Sequence, residues 1–265
     1  MKNRHPFHLV NPSPWPLSVS IALLGVTIGA AMFFHSFQKG LYLLLTSLVL
    51  LAVLTTFWWR DLVREGTYLT NHTKAVSAGL RLGFILFIVS EVMFFFSFFW
   101  AYFHSSLSPN IEIGSQWPPY GLNVISLKLP IVNTIILLSS GATITLAHLN
   151  LIRGNKQETI EAMLVTLVLA LVFTGIQVYE YSNAPFSFSD GVYGSVFYIL
   201  TGFHGLHVII GTIFIFVQLI RIIKNHFTKT EHLGFEAASW YWHFVDVVWL
   251  LLFVIVYVYG SKLLT

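Results

Sequence analysis

The sequence of 265 residues contains no cysteine, so it can form neither disulfide bonds nor thiolate metal sites. Charged residues are also scarce: they make up 9% of the chain, against roughly 25% in soluble domains. The N-terminal segment lacks a cationic region followed directly by a short apolar core, so we expect no cleaved signal peptide. Hydrophobic residues make up 56% of the chain. This composition indicates an integral membrane protein, and the basic pI reflects loop residues rather than a nucleic-acid-binding patch.

Seven apolar runs are long enough to cross a bilayer, whose hydrocarbon core needs about 20 helical residues. Pro16 and Pro130 fall where the first and fourth runs begin, a helix position that tolerates a missing amide hydrogen. The predicted fold is therefore an all-α integral membrane protein with seven transmembrane helices. The runs are approximately Leu17 to Phe34, Leu41 to Trp59, Leu82 to Phe103, Pro130 to Leu149, Ile160 to Tyr179, Val192 to Ile220 and Ala237 to Tyr259.

Lysine and arginine are distributed unevenly between the two sets of loops. If the N-terminus faces the inner compartment, the outer side holds only three of the 14 basic residues, Lys39, Lys128 and Lys262. Such a positive-inside bias predicts an inner N-terminus and places the proline-rich loop 104–128 on the outer side. The inner set is Lys2, Arg4, Arg60, Arg64, Lys74, Arg81, Arg153, Lys156, Arg221, Lys224 and Lys229.

Polar residues distinguish the first two spans from the other five. The first two have no ionisable residue in their apolar centres, and the first carries Gly25 and Gly29 in GxxxG spacing, which suits close helix packing. From the third span onward each helix has a polar stripe. This contrast predicts one membrane domain, 1–265, with a two-helix arm at 15–72 and a five-helix bundle at 73–265. The stripes include Asn133, Ser140, His148, Thr166, Gln177, Glu180, His204, His207 and Gln218.

Ionisable residues inside apolar spans are costly unless they are paired or face a protein interior. In the last span Glu236, Ser239, His243 and Asp246 follow one another at spacings of 3, 4 and 3, which puts them on one helical face. Glu91 lies near the middle of the third span, where a carboxylate costs about 2.5 to 3.5 kcal/mol on insertion scales. We expect it to be protonated, paired or next to water. It could serve as a proton-active or lipid-contacting acid, or simply bond to a neighbouring helix.

The membrane histidines also admit a metal site. His204 and His207 lie three residues apart, and imidazole is a common ligand of haem iron and copper. However, no thiolate or second close histidine pair completes a site, and this spacing is frequent for hydrogen-bonded interior histidines. We therefore expect no metal site in this chain. The predicted inter-helix hydrogen-bonding groups are Glu91, His148, His204, His207, Glu236, His243 and Asp246.

A basic and aromatic cluster follows the second and sixth spans. Such groups bind phosphates of anionic lipids through charge-assisted hydrogen bonds, with tryptophan at the depth of the lipid esters. Ordinary positive-inside flanking would account for most of the same residues. The predicted lipid-binding residues are Trp58, Trp59, Arg64, His72, Arg221, Lys224, His226 and His232, together with Glu91.

Three segments closely resemble cytochrome c oxidase subunit III of mitochondria and aerobic bacteria, and the resemblance runs from VNPSPWP near the N-terminus to the final turn. They are SEVMFFFSFFWAYFHSS at 90–106, FHGLHVIIG at 203–211 and GFEAASWYWHFVDVVWLL at 234–251. The resemblance implies that the first two helices stand apart from the other five around a V-shaped cleft occupied by phospholipids, and that Glu91 is the buried reactive glutamate beside it. The chain departs from the family's consecutive histidines, since Glu231 precedes His232 and Leu149 follows His148.

The resemblance also implies a function. The oxidase complex transfers electrons from cytochrome c to oxygen and pumps protons, and its haem a, haem a3 and copper centres belong to partner subunits. This chain would have no catalytic residue; it would stabilise the catalytic subunit, bind phospholipid and support proton uptake. Expected partners are subunits I and II, accessory subunits, membrane phospholipids and respiratory supercomplexes, in the mitochondrial inner membrane with the N-terminus in the matrix. The alternatives are a proton-coupled membrane transporter, for which matching broken helices are lacking, and a haem-binding membrane redox protein.

Overall fold

The structure is a computed structural model that describes residues 6–69 and 71–261. Within these ranges seven α-helices are long and apolar enough to cross a membrane, and no strand occurs there. The predicted all-α, seven-span fold is thereby confirmed. The helices are α1 (Trp15–Phe34), α2 (Gly40–Thr67), α3 (Lys74–Leu107), α4 (Lys128–Arg153), α5 (Lys156–Ser182), α6 (Val192–Ile223) and α7 (Leu233–Leu252); α7 continues as a π-helix, Phe253–Tyr259, and a short 3-10 helix, Ile111–Ile113, follows α3.

Several helices extend beyond the apolar runs that predicted them. The second run was predicted to end at Trp59, but α2 continues to Thr67, and α3 begins at Lys74 rather than at Leu82. Hydropathy marks only the part of a helix that matches the lipid core, whereas the backbone hydrogen bonds continue into the polar flanks. The basic residues near these helix ends are therefore held on helical turns.

The orientation prediction depends on basic residues at helix ends and in loops. Arg60 and Arg64 lie in the last turns of α2, and Arg153 ends α4. Lys2, Arg4 and Lys262 also count toward the predicted charge bias, but they lie outside the described residues. The orientation itself stays a prediction.

The chain divides into two compact units, Met1–Leu80 and Arg81–Thr265. In the first unit α1 and α2 approach each other closely: a Cβ atom added at Gly29 would lie 2.6 Å from the backbone nitrogen of Leu44, and one at Gly25 would lie 2.5 Å from Oγ of Ser47. Backbones come this close only where a side chain is missing. The packing contact predicted from the GxxxG spacing is confirmed.

In the second unit α7 is the most enclosed helix. In its most apolar stretch 56% of the residues are buried, against 39% in each of α4, α5 and α6. Two indoles anchor it to α4, since Nε1 of Trp242 donates to Oγ of Ser140 at 2.9 Å and Nε1 of Trp249 donates to Oγ1 of Thr134 at 3.0 Å. Indole N–H groups buried in an apolar interior need such partners. The polar stripe of α4 is thus placed toward α7.

Candidate functional site

Glu91 on α3 and His207 on α6 form a close pair inside the second unit. Oε2 of Glu91 lies 2.7 Å from Nε2 of His207, and Nδ1 of the same ring lies 2.7 Å from the carbonyl oxygen of Phe203. A carbonyl oxygen can only accept, so Nδ1 carries a proton. The bond between Nε2 and Oε2 then requires one further proton, which sits either on the carboxyl group or on the imidazole. In both cases the pair as a whole is neutral.

Aromatic rings surround this pair. The ring centroid of Phe95 lies 5.0 Å from that of His207, and Tyr241 stacks on the same imidazole at 6.2 Å. The side chain of His207 is 9% exposed and that of Glu91 is 22% exposed. A single unpaired charge is costly in such surroundings, whereas a neutral pair with one mobile proton is not. The site can therefore hold a proton within the lipid-embedded part of the fold.

The other predicted membrane groups of α6 and α7 differ in burial. Nε2 of His204 donates to the carbonyl oxygen of Val245 at 3.2 Å, a bond from α6 to α7. By contrast, 44% of the His243 side chain is exposed, and its Nδ1 lies 3.8 Å from Oδ2 of Asp246, too far for a hydrogen bond. Nε2 of His243 lies 3.3 Å from Oγ1 of Thr145 on α4. His243 was predicted as an inter-helix hydrogen-bonding group, and its contact with Thr145 does join α7 to α4, although its ring is more exposed than the Asp246 side chain.

The structure brings His148 on α4 next to His232 and Glu236, which are four residues apart at the start of α7. The two Nε2 atoms of His148 and His232 lie 3.3 Å apart, and Nε2 of His232 lies 3.4 Å from Oε1 of Glu236. Arg81 holds the same carboxylate from α3 with two bonds of 3.0 and 3.1 Å. We name these four side chains the Arg81–Glu236 cluster. Three of its members had been predicted as polar or lipid contacts, without this arrangement.

A second buried group of hydrogen-bonded side chains was not predicted from the sequence. The hydroxyl of Tyr257 donates to Oε1 of Glu180 at 2.6 Å, and the Gln177 amide donates to the same oxygen at 3.4 Å. Asn133 on α4 donates to Gln177 at 3.4 Å. The polar stripe of α5 predicted that Gln177 and Glu180 share a face. In the sequence, however, Tyr257 does not differ from the other aromatic residues of its apolar run. Only packing of the π-helix against α5 identifies it as the partner.

The predicted lipid contacts of the first unit lie near the end of α2. The side chain of Trp59 is 62% exposed, and that of Arg64 is 59% exposed, with a distant contact of 3.9 Å to Asp61. Asp61 is held more firmly by Nε1 of Trp15 at 2.9 Å. The ring of His72 lies near that of His8, with centroids 6.1 Å apart. Arg64 thus has a guanidinium group that is largely available to an external anion, and Trp58 lies one turn before Asp61.

The predicted lipid-binding residues of the second unit make more contacts within the protein. The guanidinium of Arg221 lies 4.2 Å from the ring centroid of Phe227 and donates to Oε1 of Gln218 at 3.2 Å. His232 belongs to the Arg81–Glu236 cluster, whereas Lys224 is exposed. Burial, together with the positive charges of Arg221 and Lys224, lowers the pKa of His226 and favours its neutral form. Among these residues Lys224 is therefore the best placed to meet a phosphate.

Comparison with known proteins covers nearly the whole chain. The family described as cytochrome c oxidase subunit III matches residues 5–261. Cytochrome c oxidase subunit 3 of Prototheca wickerhamii is 56% identical over 259 residues, which are 97% of this chain and 99% of that protein. The wheat protein of the same name, from Triticum aestivum, is 56% identical over 97% of this chain and 98% of its own length, and that of Marchantia polymorpha is 56% identical over 99% of both. The chain therefore belongs to the cytochrome c oxidase subunit III family.

Proposed function

We propose that this chain is the non-redox subunit III of a cytochrome c oxidase, respiratory complex IV, in the mitochondrial inner membrane. The observation that carries the proposal is its similarity, over almost its full length, to plant and algal proteins named cytochrome c oxidase subunit 3. The complex transfers electrons from cytochrome c to oxygen and pumps protons. Haem a, haem a3 and copper are held by its partners, and subunits I and II with accessory subunits surround this chain.

The hydrogen bonds of the membrane histidines support a role without a redox centre. His204 uses Nε2 to bond the Val245 carbonyl, and His207 uses both ring nitrogens, toward Phe203 and Glu91. A haem or copper ligand needs a ring nitrogen directed at the metal. These histidines instead join helices, which suits a subunit that stabilises the catalytic subunit and supports proton uptake.

A purification experiment tests this assignment. The chain is tagged and purified in mild detergent, and reduced-minus-oxidised spectra and subunit masses are recorded before and after it is separated from its partners. We expect haem and copper to co-purify with larger chains and to be absent from the separated chain. Haem retained by the separated chain would refute the proposal and favour a haem-binding redox protein.

Phospholipid binding is the second part of the proposed role. Arg64 and Lys224 offer exposed cationic groups at helix ends, and Trp59 offers an exposed indole, the combination that suits lipid headgroups and esters. The lipid-filled cleft implied by the family resemblance remains a prediction. Arg64→Ala should lower the amount of phospholipid that co-purifies, measured by mass spectrometry, whereas the control Arg64→Lys, which keeps the positive charge, should retain most of it. Unchanged lipid in Arg64→Ala would contradict the headgroup role.

The proposed domain organisation is one membrane domain with an arm at 15–72 and a bundle at 73–265. It is supported by the division of the chain into Met1–Leu80 and Arg81–Thr265, which falls within the first turns of α3. The proposed orientation has the N-terminus in the matrix. Because the chain lacks cysteine, Gln116→Cys and Glu231→Cys can be labelled separately with a membrane-impermeant maleimide. We expect the reagent added on the intermembrane-space side to label Gln116→Cys and not Glu231→Cys. Labelling of Glu231→Cys and not Gln116→Cys from that side would overturn the orientation.

A further inference from the structure

Three side chains of the Arg81–Glu236 cluster have the composition and spacing of a metal site. We propose that His148, His232 and Glu236 bind a divalent transition-metal ion, with Zn²⁺ as the best-fitting ion. The donor atoms of the three side chains all lie within 4.8 Å of one another. Two imidazoles and one carboxylate form a set that binds zinc in proteins and leaves a fourth position open to water. This inference is independent of the proposed function, and it replaces the expectation, drawn from the sequence, that the chain has no metal site.

The distances agree with tetrahedral coordination. A zinc ion with Zn–N bonds of about 2.0–2.1 Å holds two nitrogens about 3.3 Å apart, and a nitrogen and a carboxylate oxygen about 3.4 Å apart. In the structure the Nε2 atoms of His148 and His232 are separated by 3.3 Å, and Nε2 of His232 and Oε1 of Glu236 by 3.4 Å. Two of the three ligand-to-ligand edges therefore fit an ion without rearrangement.

The second ring nitrogen of His232 is used in the way that metal-bound histidines use it. Nδ1 of His232 lies 3.1 Å from the carbonyl oxygen of Thr228, so Nδ1 carries a proton, and in the neutral ring Nε2 presents a lone pair. Such a bond to a backbone carbonyl fixes the tautomer and the ring orientation of a ligand. The same Nε2 atom of His232 is close to both other ligand atoms, Nε2 of His148 and Oε1 of Glu236.

Glu236 is oriented by a partner of its own. Arg81 donates from Nε to Oε2 at 3.0 Å and from a terminal nitrogen to Oε1 at 3.1 Å. Ligating carboxylates are commonly hydrogen-bonded in this way, and an oxygen with two lone pairs can face both Arg81 and an ion. The guanidinium thus bonds both carboxylate oxygens, including the Oε1 that lies 3.4 Å from Nε2 of His232.

Without a metal, His148 and His232 share one hydrogen bond. When the His232 ring is neutral its proton is on Nδ1, and Nε2 of His148 is then the donor in the bond between the two rings. Metal binding requires His148 to change tautomer, with Nε2 losing its proton and Nδ1 taking one up from solvent, so that both Nε2 atoms present lone pairs. His148 and Glu236 are partly exposed and lie at helix ends, next to the water phase that supplies the ion.

Zinc binding can be measured on the assembled complex, purified through a tag on this chain. The complex is equilibrated with radioactive ⁶⁵Zn²⁺ and washed, and zinc per complex is compared between wild type, His148→Ala and His232→Ala. His104→Gln serves as the control, since this histidine is exposed at the end of α3. The zinc content that a variant loses relative to wild type is that of this site, because other zinc sites in the assembly are unchanged by the substitution. A crystal soaked in zinc would locate the ion by anomalous scattering.

We expect each alanine variant to bind one zinc ion fewer per chain, the control to bind as wild type does, and the anomalous peak to lie about 2.0–2.1 Å from both Nε2 atoms. Equal zinc content in all variants, or a peak elsewhere, would overturn the proposal. If an alanine variant fails to assemble, His148→Gln tests the same point, because its amide can still donate to His232. Full zinc binding by His148→Gln would also refute the site.

Discussion

Glu91→Gln should preserve the contact between α3 and α6, whereas Glu91→Leu should break it. Gln places an amide nitrogen where Glu91 has Oε2, which lies 2.7 Å from Nε2 of His207. Since Nδ1 of His207 already donates to Phe203, Nε2 of the neutral ring can accept a bond from that amide. Leu has a similar volume but no donor. The two substitutions therefore separate the hydrogen bond from the packing of the side chain.

The burial of His207 determines the size of the effect. Its side chain is 9% exposed, so loss of its partner leaves a buried ring nitrogen unsatisfied, at a cost of about 1–3 kcal/mol. Hydrogen bonds between membrane helices average about 0.6 kcal/mol and reach about 1.7 kcal/mol in double-mutant cycles. We expect Glu91→Leu to reduce the free energy of unfolding by about 1–2 kcal/mol. Glu91→Gln should cost less than about half of that, since one neutral hydrogen bond replaces another.

Two measurements on the purified assembly check this expectation. The first is the midpoint of thermal denaturation, and the second is the infrared carbonyl band of a protonated carboxylic acid. Because separated charges are costly among the surrounding aromatic rings, the proton should reside on Glu91. Wild type should then show a carboxylic-acid band that Glu91→Gln lacks. Glu112→Gln, at an exposed loop position, is the control and should change neither the midpoint nor this band.

Either measurement can refute the reasoning. Equal destabilisation by Gln and by Leu would show that the hydrogen bond to His207 contributes nothing and that shape alone matters. An infrared difference spectrum without loss of the carboxylic-acid band would assign the proton to the imidazole, and the pair would be an ion pair. Complete loss of the assembled complex in Glu91→Gln would make Glu91 essential to packing, contrary to the expectation.

Two further predictions concern helix packing. Gly29→Ala should destabilise the protein by about 1–3 kcal/mol, because the new Cβ would lie 2.6 Å from the backbone nitrogen of Leu44, whereas Gly83→Ala, which has open space at this position, should be tolerated. Equal thermal midpoints of the two variants would contradict this. Trp242→Phe should cost more than the roughly 0.5–1.5 kcal/mol of its bond to Ser140, because the smaller ring also leaves a cavity at a fully buried position. In a thermal double-mutant cycle the effects of Trp242→Phe and Ser140→Ala should be less than additive; strict additivity would exclude that bond as a contributor.

Different parts of this fold were predictable to different degrees. The membrane spans could be predicted because the free energy of membrane insertion is a sum over the residues of one helix. The close approach of α1 and α2 could be predicted from Gly25 and Gly29 for a similar reason, since a surface of small residues is a property of one helix. The apolar runs end at Trp59 and begin at Leu82, short of the ends of α2 and α3, because backbone hydrogen bonding does not stop where the lipid core stops.

The sequence alone determined the membrane class and the number of spans, and its motifs indicated the family, because these depend on composition and local order. The tertiary structure decided which polar groups meet. His148 and His232 lie 3.3 Å apart although 84 residues separate them, and Glu91 bonds His207 across 116 residues. Periodicity states which side of a helix is polar, but not which neighbour it faces or how far the helix is rotated. His243 and Asp246, predicted on one face, are exposed to different degrees because helix packing sets that rotation.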